Sequence, residues 1–137
     1  MRTIAALMLA GMLASCTTAP EPVTTRSPAK EAELQQLLAG KIAQRPVTCL
    51  PLYRPEDMRV IDDSTIAFRD GPARVYVAHM NGACSGLANG TAVLVTHEHG
   101  SSAPCRGDIA RTVDMSSRMT VGSCVFESIQ PFVSPRR

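Results

Sequence analysis

The cysteines downstream of position 16 are the side chains of this sequence whose chemistry is most readily predicted. They are four in number in a chain of 137 residues: Cys49, Cys84, Cys105 and Cys124. In an oxidising compartment an even set of this kind implies two disulfides, for which three pairings exist. Zinc sites usually take cysteines from close C-x-x-C pairs, whereas the nearest two here are 19 positions apart. The spacing favours disulfides over zinc, and the absence of C-x-x-C argues against thiol-redox chemistry.

The strands predicted below favour the pairs Cys84 with Cys105 and Cys49 with Cys124. The first pair would join the ends of the segment that contains a predicted strand at residues 91–97. The second would join the first predicted strand to the last. Loop-closure entropy predicts stabilisation of about 3.4 and 4.5 kcal/mol for these bridges, and similar sums for the sequential pairing. Entropy therefore leaves the alternatives open, and the pairing rests on the strand prediction.

His97-Glu98-His99 is a second group whose residue types could do chemistry. On a strand, His97 and His99 would project to one face and could share an ion, while Glu98 would point away. If consecutive strands around His79 and His97 form a hairpin, these two histidines lie roughly 13 Å apart. A third ligand is then lacking, so we predict no metal and no cofactor. The alternative is a small metal-binding protein or hydrolase that uses His97 and His99.

Arg106-Gly107-Asp108 has the letters of a cell-adhesion tripeptide, which arises easily by chance. It directly follows a cysteine where a turn is needed, so we interpret Gly107 as a turn residue and Asp108 as a cap for backbone donors. The chain has no G-x-S-x-G elbow and no phosphate-binding loop. These observations predict a protein that is not an enzyme.

The first residues of the chain have the pattern of an export signal. Arg2 is followed by an apolar run over residues 4–13, and Leu13-Ala14-Ser15-Cys16 ends this segment with small residues before a cysteine. The run has about half of the roughly 20 apolar residues that a spanning helix needs. Its ending resembles the bacterial lipobox, which implies cleavage before Cys16 and a lipid on that cysteine. Residues 1–15 are therefore predicted to be a lipoprotein signal peptide.

Lipidation at Cys16 implies a membrane partner that is reached through the acyl chains, since two or more chains anchor a protein firmly. By resemblance to the enterobacterial sorting rule, Thr17 in place of Asp favours the outer membrane, facing the periplasm. A further partner would be another envelope protein. The chain has 14 Lys and Arg against 12 Asp and Glu, without a basic cluster of the kind that binds nucleic acid. We therefore predict no nucleic-acid partner.

Residues 16–27 are predicted to be a disordered tether, because prolines and threonines occur there without an apolar period. A helix over about residues 28–40 follows, with Ser27 as N-cap and Pro28 at the first helical position. Gly40 is an interruption or a C-cap. The helix has an apolar stripe that must pack on another element: Leu34, Leu37, Leu38 and Ile42.

Residues 28–137 are predicted to form a single disulfide-bonded, β-rich domain. Short β-prone segments separated by turn residues indicate seven strands, at 46–50, 58–61, 65–68, 74–79, 91–97, 108–114 and 120–126. Asn81-Gly82 predicts a hairpin between the strands at 74–79 and 91–97. The pattern favours a mainly β (α+β) fold, with a small antiparallel sheet or barrel and one N-terminal helix.

The cysteines and their neighbours also carry a resemblance over about residues 45–132. After Cys49 come a Val-Ile-Asp-Asp hairpin and a Val-Tyr-Val strand, then Cys-Ser-Gly-Leu, Cys-Arg-Gly-Asp and Gly-Ser-Cys-Val-Phe. This series resembles a family of small exported proteobacterial proteins with no assigned function. The resemblance implies a fold and no activity. We therefore expect a membrane-anchored envelope lipoprotein that serves as a non-enzymatic binding or structural module.

Overall fold

The computed structural model of the chain describes residues 26–51, 54–96 and 103–135. A short 3-10 turn at Pro55–Asp57 accompanies the main elements, which are α1 (Pro28–Leu38), β1 (Ile42–Ala43), β2 (Met58–Asp62), β3 (Thr65–Asp70), β4 (Arg74–Asn81), β5 (Ala92–Thr96), β6 (Ile109–Asp114) and β7 (Thr120–Val133). The predicted mainly β fold with an N-terminal helix is confirmed. Within these ranges no helix has the length and apolar character to cross a membrane.

The strands form one antiparallel sheet, curved into a half-barrel, in the order β2-β3-β4-β7-β6-β5, and β1 pairs with β7. The long strand β7 is its centre, because its first half pairs with β6 and its second half with both β4 and β1. The sequence prediction ended this strand at residue 126, seven residues too early. Pro131 argues against a central strand, but its carbonyl accepts Gln44 N–H at 2.8 Å. The proline nitrogen therefore faces Gln44, just beyond the end of β1, and the missing N–H interrupts no hydrogen bond between β7 and β4.

The predicted hairpin at Asn81-Gly82 is wrong. The neighbours of β4 are β3 and β7, and β5 pairs with β6. After Gly82 the chain instead crosses the face of β7 at Gly122, where an added Cβ would lie 3.0 Å from the Ala83 carbonyl oxygen. The crossing therefore requires glycine at position 122, and it places the segment 83–90 on the sheet.

The two faces of the sheet have different coverings. The inner face, to which Phe68, Ala78 and Phe126 contribute, holds the larger core, and the segments around Leu50 and Leu87 cover it. The outer face, to which Ala67 and Val77 contribute, packs against α1. Cys84 and Cys124 belong to the core on the inner side, and the helix lies on the outer side.

Helix α1 begins as predicted. The Ser27 side chain accepts Lys30 N–H at 3.3 Å, and Pro28 is the first helical residue. The helix ends at Leu38, and Gly40 follows with a left-handed φ of 69°, the conformation typical of a helix C-terminus. Three leucines of the predicted stripe pack on the outer face. Ile42 does not, since it lies beyond the helix in β1 and is 57% exposed.

Candidate functional site

The two disulfides are Cys49–Cys105 and Cys84–Cys124. The predicted pairing is therefore wrong, although the prediction of two disulfides among these four cysteines is confirmed. The error comes from the assumed hairpin between β4 and β5. Because the chain crosses β7 instead, it brings Cys84 against the central strand, beside Cys124 on the inner face.

Cys49 pairs with Cys105 because two separate segments meet beside β7. Val47 forms a β-bridge with Ile129, and Cys49 forms one with Cys105. Residues 42–47 and strand β6 thus lie along the same edge of β7, one after the other. The strand predicted at residues 46–50 is wrong, because this segment forms only these two isolated bridges. Val47 does lie beside β7, the last strand, as predicted. The cysteine nearest to Cys49, however, belongs to the segment that leads into β6.

Arg106-Gly107-Asp108 forms the turn after Cys105, as interpreted from the sequence. Gly107 has a φ of 94°, which favours glycine. The Asp108 carboxylate accepts Cys105 N–H at 2.8 Å. Gly107 N–H donates to the Phe126 carbonyl at 2.8 Å. Gly107 and Asp108 therefore hold the backbone of this turn against β7.

Of the three histidines, the structure describes only His79. His79 is exposed on β4, between Thr65 of β3 and Ser128 of β7. His97, Glu98 and His99 lie outside the described residues, as does Cys16. The hairpin that would have separated His79 from His97 does not exist, so the distance between these histidines stays untested. Among the described residues, no group of three His, Cys, Asp or Glu side chains could hold a metal ion.

Arg26, which lies within the predicted tether, instead joins the start of α1 to the turn between β2 and β3. Its guanidinium donates to Asp62 at 2.7 Å, to Glu31 at 2.8 Å and to Thr65 at 2.9 Å. Burial alone would raise the pKa of Asp62, but hydrogen bonds from Arg26 and Ser64 outweigh it and hold that pKa below its usual range. The Asp62 carboxylate therefore stays charged, and through Arg26 it connects the start of the helix to the sheet.

An open depression of about 370 Å³ lies beside the Arg26–Asp62 ion pair, and Lys30, Asp63 and Asn89 form part of its lining. Its charged groups already have partners within the chain. Lys30 pairs with Glu33 at 2.8 Å, and the Asp63 carboxylate accepts Ala88 N–H at 2.9 Å. These contacts explain the cluster as a structural joint, so we do not assign it a ligand.

The hairpin between β6 and β7 turns around the Asp114 carboxylate. The side-chain and backbone groups of Ser116 and Ser117 donate to it at 2.6–3.0 Å. Hydrogen bonds from Ser116, and then from Ser117, lower the pKa of Asp114 to about 2. Met115 and Met119 are exposed at this turn, so the hairpin presents apolar side chains at its tip.

The outer face of β5, β6 and the first half of β7 carries an exposed apolar surface, which we call the open face. Its side chains alternate along the strands with inner-face residues such as Ala110 and Cys124, so all project to the same side as α1. Four are 40–47% exposed: Val93, Val95, Ile109 and Val121. No described element covers this half of the sheet, whereas α1 covers the outer face at β2, β3 and β4.

Arg111 lies at the centre of the open face. It pairs in register with Val95 on one side and Ser123 on the other. Its side chain is exposed and forms no ion pair with any described residue. An apolar surface around an unpaired guanidinium can bind an apolar segment that carries a carboxylate.

Sequence reasoning missed the open face, although a signal for it exists. In Ala-Val-Leu-Val at residues 92–95, both alternating sets of side chains are apolar. This pattern is typical of a strand buried on both faces, but β5 lies at the edge of the sheet. The apolar pattern of β5 conflicts with its exposed position at the edge, and this conflict can be recognised only when the strand order is known.

Comparisons with known proteins identify a family and no activity. The model of a family of unknown function (DUF6491) matches residues 1–135. No curated protein matches the chain, and no solved structure matches it.

Proposed function

The chain belongs to the family of unknown function DUF6491, and because that membership supplies no activity we propose a function from the chain's own residues. The protein is an exported lipoprotein, anchored at Cys16 to the envelope membrane, in the outer membrane facing the periplasm. It is not an enzyme. It serves as a binding module that presents its open face to another envelope protein.

Two features support the location. The opening Leu13-Ala14-Ser15-Cys16 has the order of residues that lipoprotein signals use before the modified cysteine. The disulfides Cys49–Cys105 and Cys84–Cys124 are of the kind that persists in oxidising compartments such as the periplasm. With a lipid anchor the protein needs no apolar patch for membrane attachment, so the open face remains available for a different partner.

The open face is the observation that carries the binding role. Exposed apolar surface is costly in water, at about 25 cal/mol per Å², and a contiguous apolar patch on a soluble domain commonly marks an interaction site. Here the same sheet face is buried where α1 packs on it and exposed at Val93, Val95 and Ile109. A partner segment would bury the outer face of β5, β6 and β7 as α1 buries the outer face of β2, β3 and β4.

Arg111 indicates which charge the partner segment should carry. A purely apolar segment would bury this guanidinium without a partner, and burying an unpaired charge costs several kcal/mol. A segment with an Asp or Glu opposite Arg111 would form a charge-assisted hydrogen bond instead. We therefore expect an amphipathic partner segment with apolar side chains around one carboxylate.

Ile109→Lys tests the binding role in envelopes of cells that make the protein. This substitution places a second cation on the open face next to Arg111. Gln36→Lys adds the same charge at an exposed position of α1 and serves as the matched control. After mild detergent extraction, wild type and Gln36→Lys should migrate in a complex larger than the chain, and Ile109→Lys should migrate separately from it. Equal migration of all three proteins would refute the binding role.

The anchor is tested separately with Cys16→Ser. The substitution should remove the acyl mass and release the protein from the membrane pellet, because the thiol that would carry the lipid is gone. Wild-type protein without lipid, together with a Cys16→Ser protein that still sediments with membranes, would refute lipidation and leave the open-face proposal untouched.

A further inference from the structure

The strands at the two ends of the strand order, β2 and β5, differ in how well they are protected from pairing with another strand. At one edge, β2 carries Arg59 and Asp62, and its pairing with β3 is irregular between Val60 and Asp62. Charges and bulges of this kind prevent an edge from pairing with a foreign strand. At the other edge, β5 has the sequence Ala-Val-Leu-Val-Thr, without charge or proline, and its register with β6 is regular throughout.

The register shows which backbone groups of β5 face outward. Met115 N–H donates to the Thr91 carbonyl at 3.0 Å, immediately next to the pair formed by Ala92 and Asp114. Since backbone groups alternate in direction along an antiparallel strand, those of residues 93 and 95 face β6. Those of residues 92, 94 and 96 face away from the sheet.

Part of this outward edge is already used. Ala92 N–H donates to the Gly86 carbonyl at 3.0 Å, so the segment 83–90 covers the start of the strand. Beyond it, the N–H and C=O of Leu94 and the N–H of Thr96 have no hydrogen-bond partner among the described residues. Unpaired groups in a row on an uncharged strand form a template for another strand.

We propose that β5 pairs with β5 of a second copy of this chain, antiparallel and centred on Leu94. A two-fold axis at that position brings the two Leu94 residues into a hydrogen-bonded pair and places Thr96 N–H opposite the Ala92 carbonyl of the other copy. On the outer face, Val93 of each copy lies opposite Val95 of the other copy, so the two-fold axis produces two such pairs. Apolar side chains that lie directly opposite each other on one face of an antiparallel pair are in contact, and such contacts stabilise the pairing.

The charges favour a second copy at this edge over a second copy on the open face. Edge pairing separates the two Arg111 side chains by three strand spacings, roughly 14 Å, which exceeds the Debye length of about 8 Å at physiological salt. Stacking the two open faces around a two-fold axis would instead bring the Arg111 groups together. Edge pairing also leaves the open faces free and makes them one continuous surface.

The predicted register gives a specific test by sedimentation of the full chain, purified from cells in detergent. Wild type should be a reversible dimer. Val93→Lys and Val95→Glu should each weaken dimerisation about tenfold or more, because each places a charge opposite a valine. The double variant places the new lysine opposite the new glutamate of the other copy, so it should dimerise at least about five times more tightly than either single variant.

Val121→Lys and Gln36→Lys complete the experiment. Val121 belongs to the open face but lies on β7, two strands from the edge, so neither variant should change the dimer. A wild type that stays monomeric overturns the proposal. So does a dimer that Val121→Lys disrupts and the double variant fails to restore, since that result would indicate stacked open faces. Neither outcome depends on an envelope partner, because the purified chain is the only protein present.

Discussion

The two halves of the sheet's outer face are built from similar strands, but one half is buried and the other is exposed. Val75 and Val77 of β4 are 2–3% exposed beneath α1, whereas Val93 and Val95 of β5 are 40–46% exposed. The residue type is the same, and the covering element differs. Apolar strand residues therefore do not by themselves identify the core of this domain, and their exposure on one half indicates a surface available for a partner.

The halves also differ in how they are held. The half formed by β2, β3 and β4 is fastened from outside by α1 and by the Arg26 contacts with Asp62 and Thr65. The half formed by β5, β6 and the start of β7 is held from the inner side by the Cys84–Cys124 disulfide and by the segment 83–90, which also bonds to Asp63 in the turn between β2 and β3. Fastening from inside leaves the open face unobstructed.

The largest expected effect comes from removing that inner fastening. Cys84→Ala together with Cys124→Ala should lower the free energy of unfolding by about 2–5 kcal/mol, measured by denaturant titration. Amide exchange should accelerate more in β5 and β6 than in β3 and β4, because the disulfide ties to β7 the segment 83–90, which bonds to β5 through Gly86 and Ala92. Equal acceleration in both halves would contradict the separate fastening.

Two substitutions compare the covered half of the sheet with the open half. Leu34→Ala removes the leucine of α1 that is 7% exposed, and it should lower the free energy of unfolding by about 2–3 kcal/mol. Val95→Thr changes the open face at nearly constant volume and should stay within about 0.5 kcal/mol of wild type. If Val95→Thr destabilised the isolated chain as strongly as Leu34→Ala, the open face would be part of the core.

Sequence reasoning predicted the local structure well because local signals decide it. Ser27 and Pro28 fix the start of α1, and the Asp62-Asp63-Ser64 turn joins β2 to β3 as predicted. The disulfide pairing was wrong because it depends on which strands are neighbours. The crossing of β7 depends on one close approach, at Gly122, and a lone glycine in a strand does not reveal what passes over it.

The candidate site was harder to predict than the fold. The sequence drew attention to residue types that perform chemistry, such as His97 and Asp108, whereas the open face consists of ordinary valine and isoleucine. Such residues become informative only when the structure leaves them uncovered. The strand order and the length of α1 decide that, and neither can be derived from the open-face residues.

A smaller effect is expected behind the open face, at Thr112 on the inner side of β6. Its hydroxyl is fully buried and has no hydrogen-bond partner among the described residues. Thr112→Val removes this unsatisfied group at nearly constant shape and should raise the free energy of unfolding by about 1 kcal/mol. Thr112→Ser, which keeps the hydroxyl and loses the methyl group, should be less stable than wild type. A destabilised valine variant would indicate that the hydroxyl has a partner.

The smallest effect concerns the turn at the end of the open half. The lowered pKa of Asp114 means that its stabilising contribution is present above the ordinary value of 3.8 and is lost as the pH falls towards about 2. Asp114→Asn should therefore flatten the pH dependence of stability between these values. An NMR titration of the carboxyl group checks the shift itself, and an ordinary pKa at Asp114 would contradict the hydrogen bonds of this turn.

The central claim, that the open face binds another envelope protein, is tested most directly by photo-crosslinking in cells. A photoreactive residue is placed at Ile109 on the open face and, in a parallel protein, at Gln36 on the exposed side of α1. We predict a crosslinked product between Ile109 and a different protein, absent when the same group is at Gln36 and lost when Arg111→Glu reverses the central charge. No product from Ile109, or the same products from both positions, would contradict the claim.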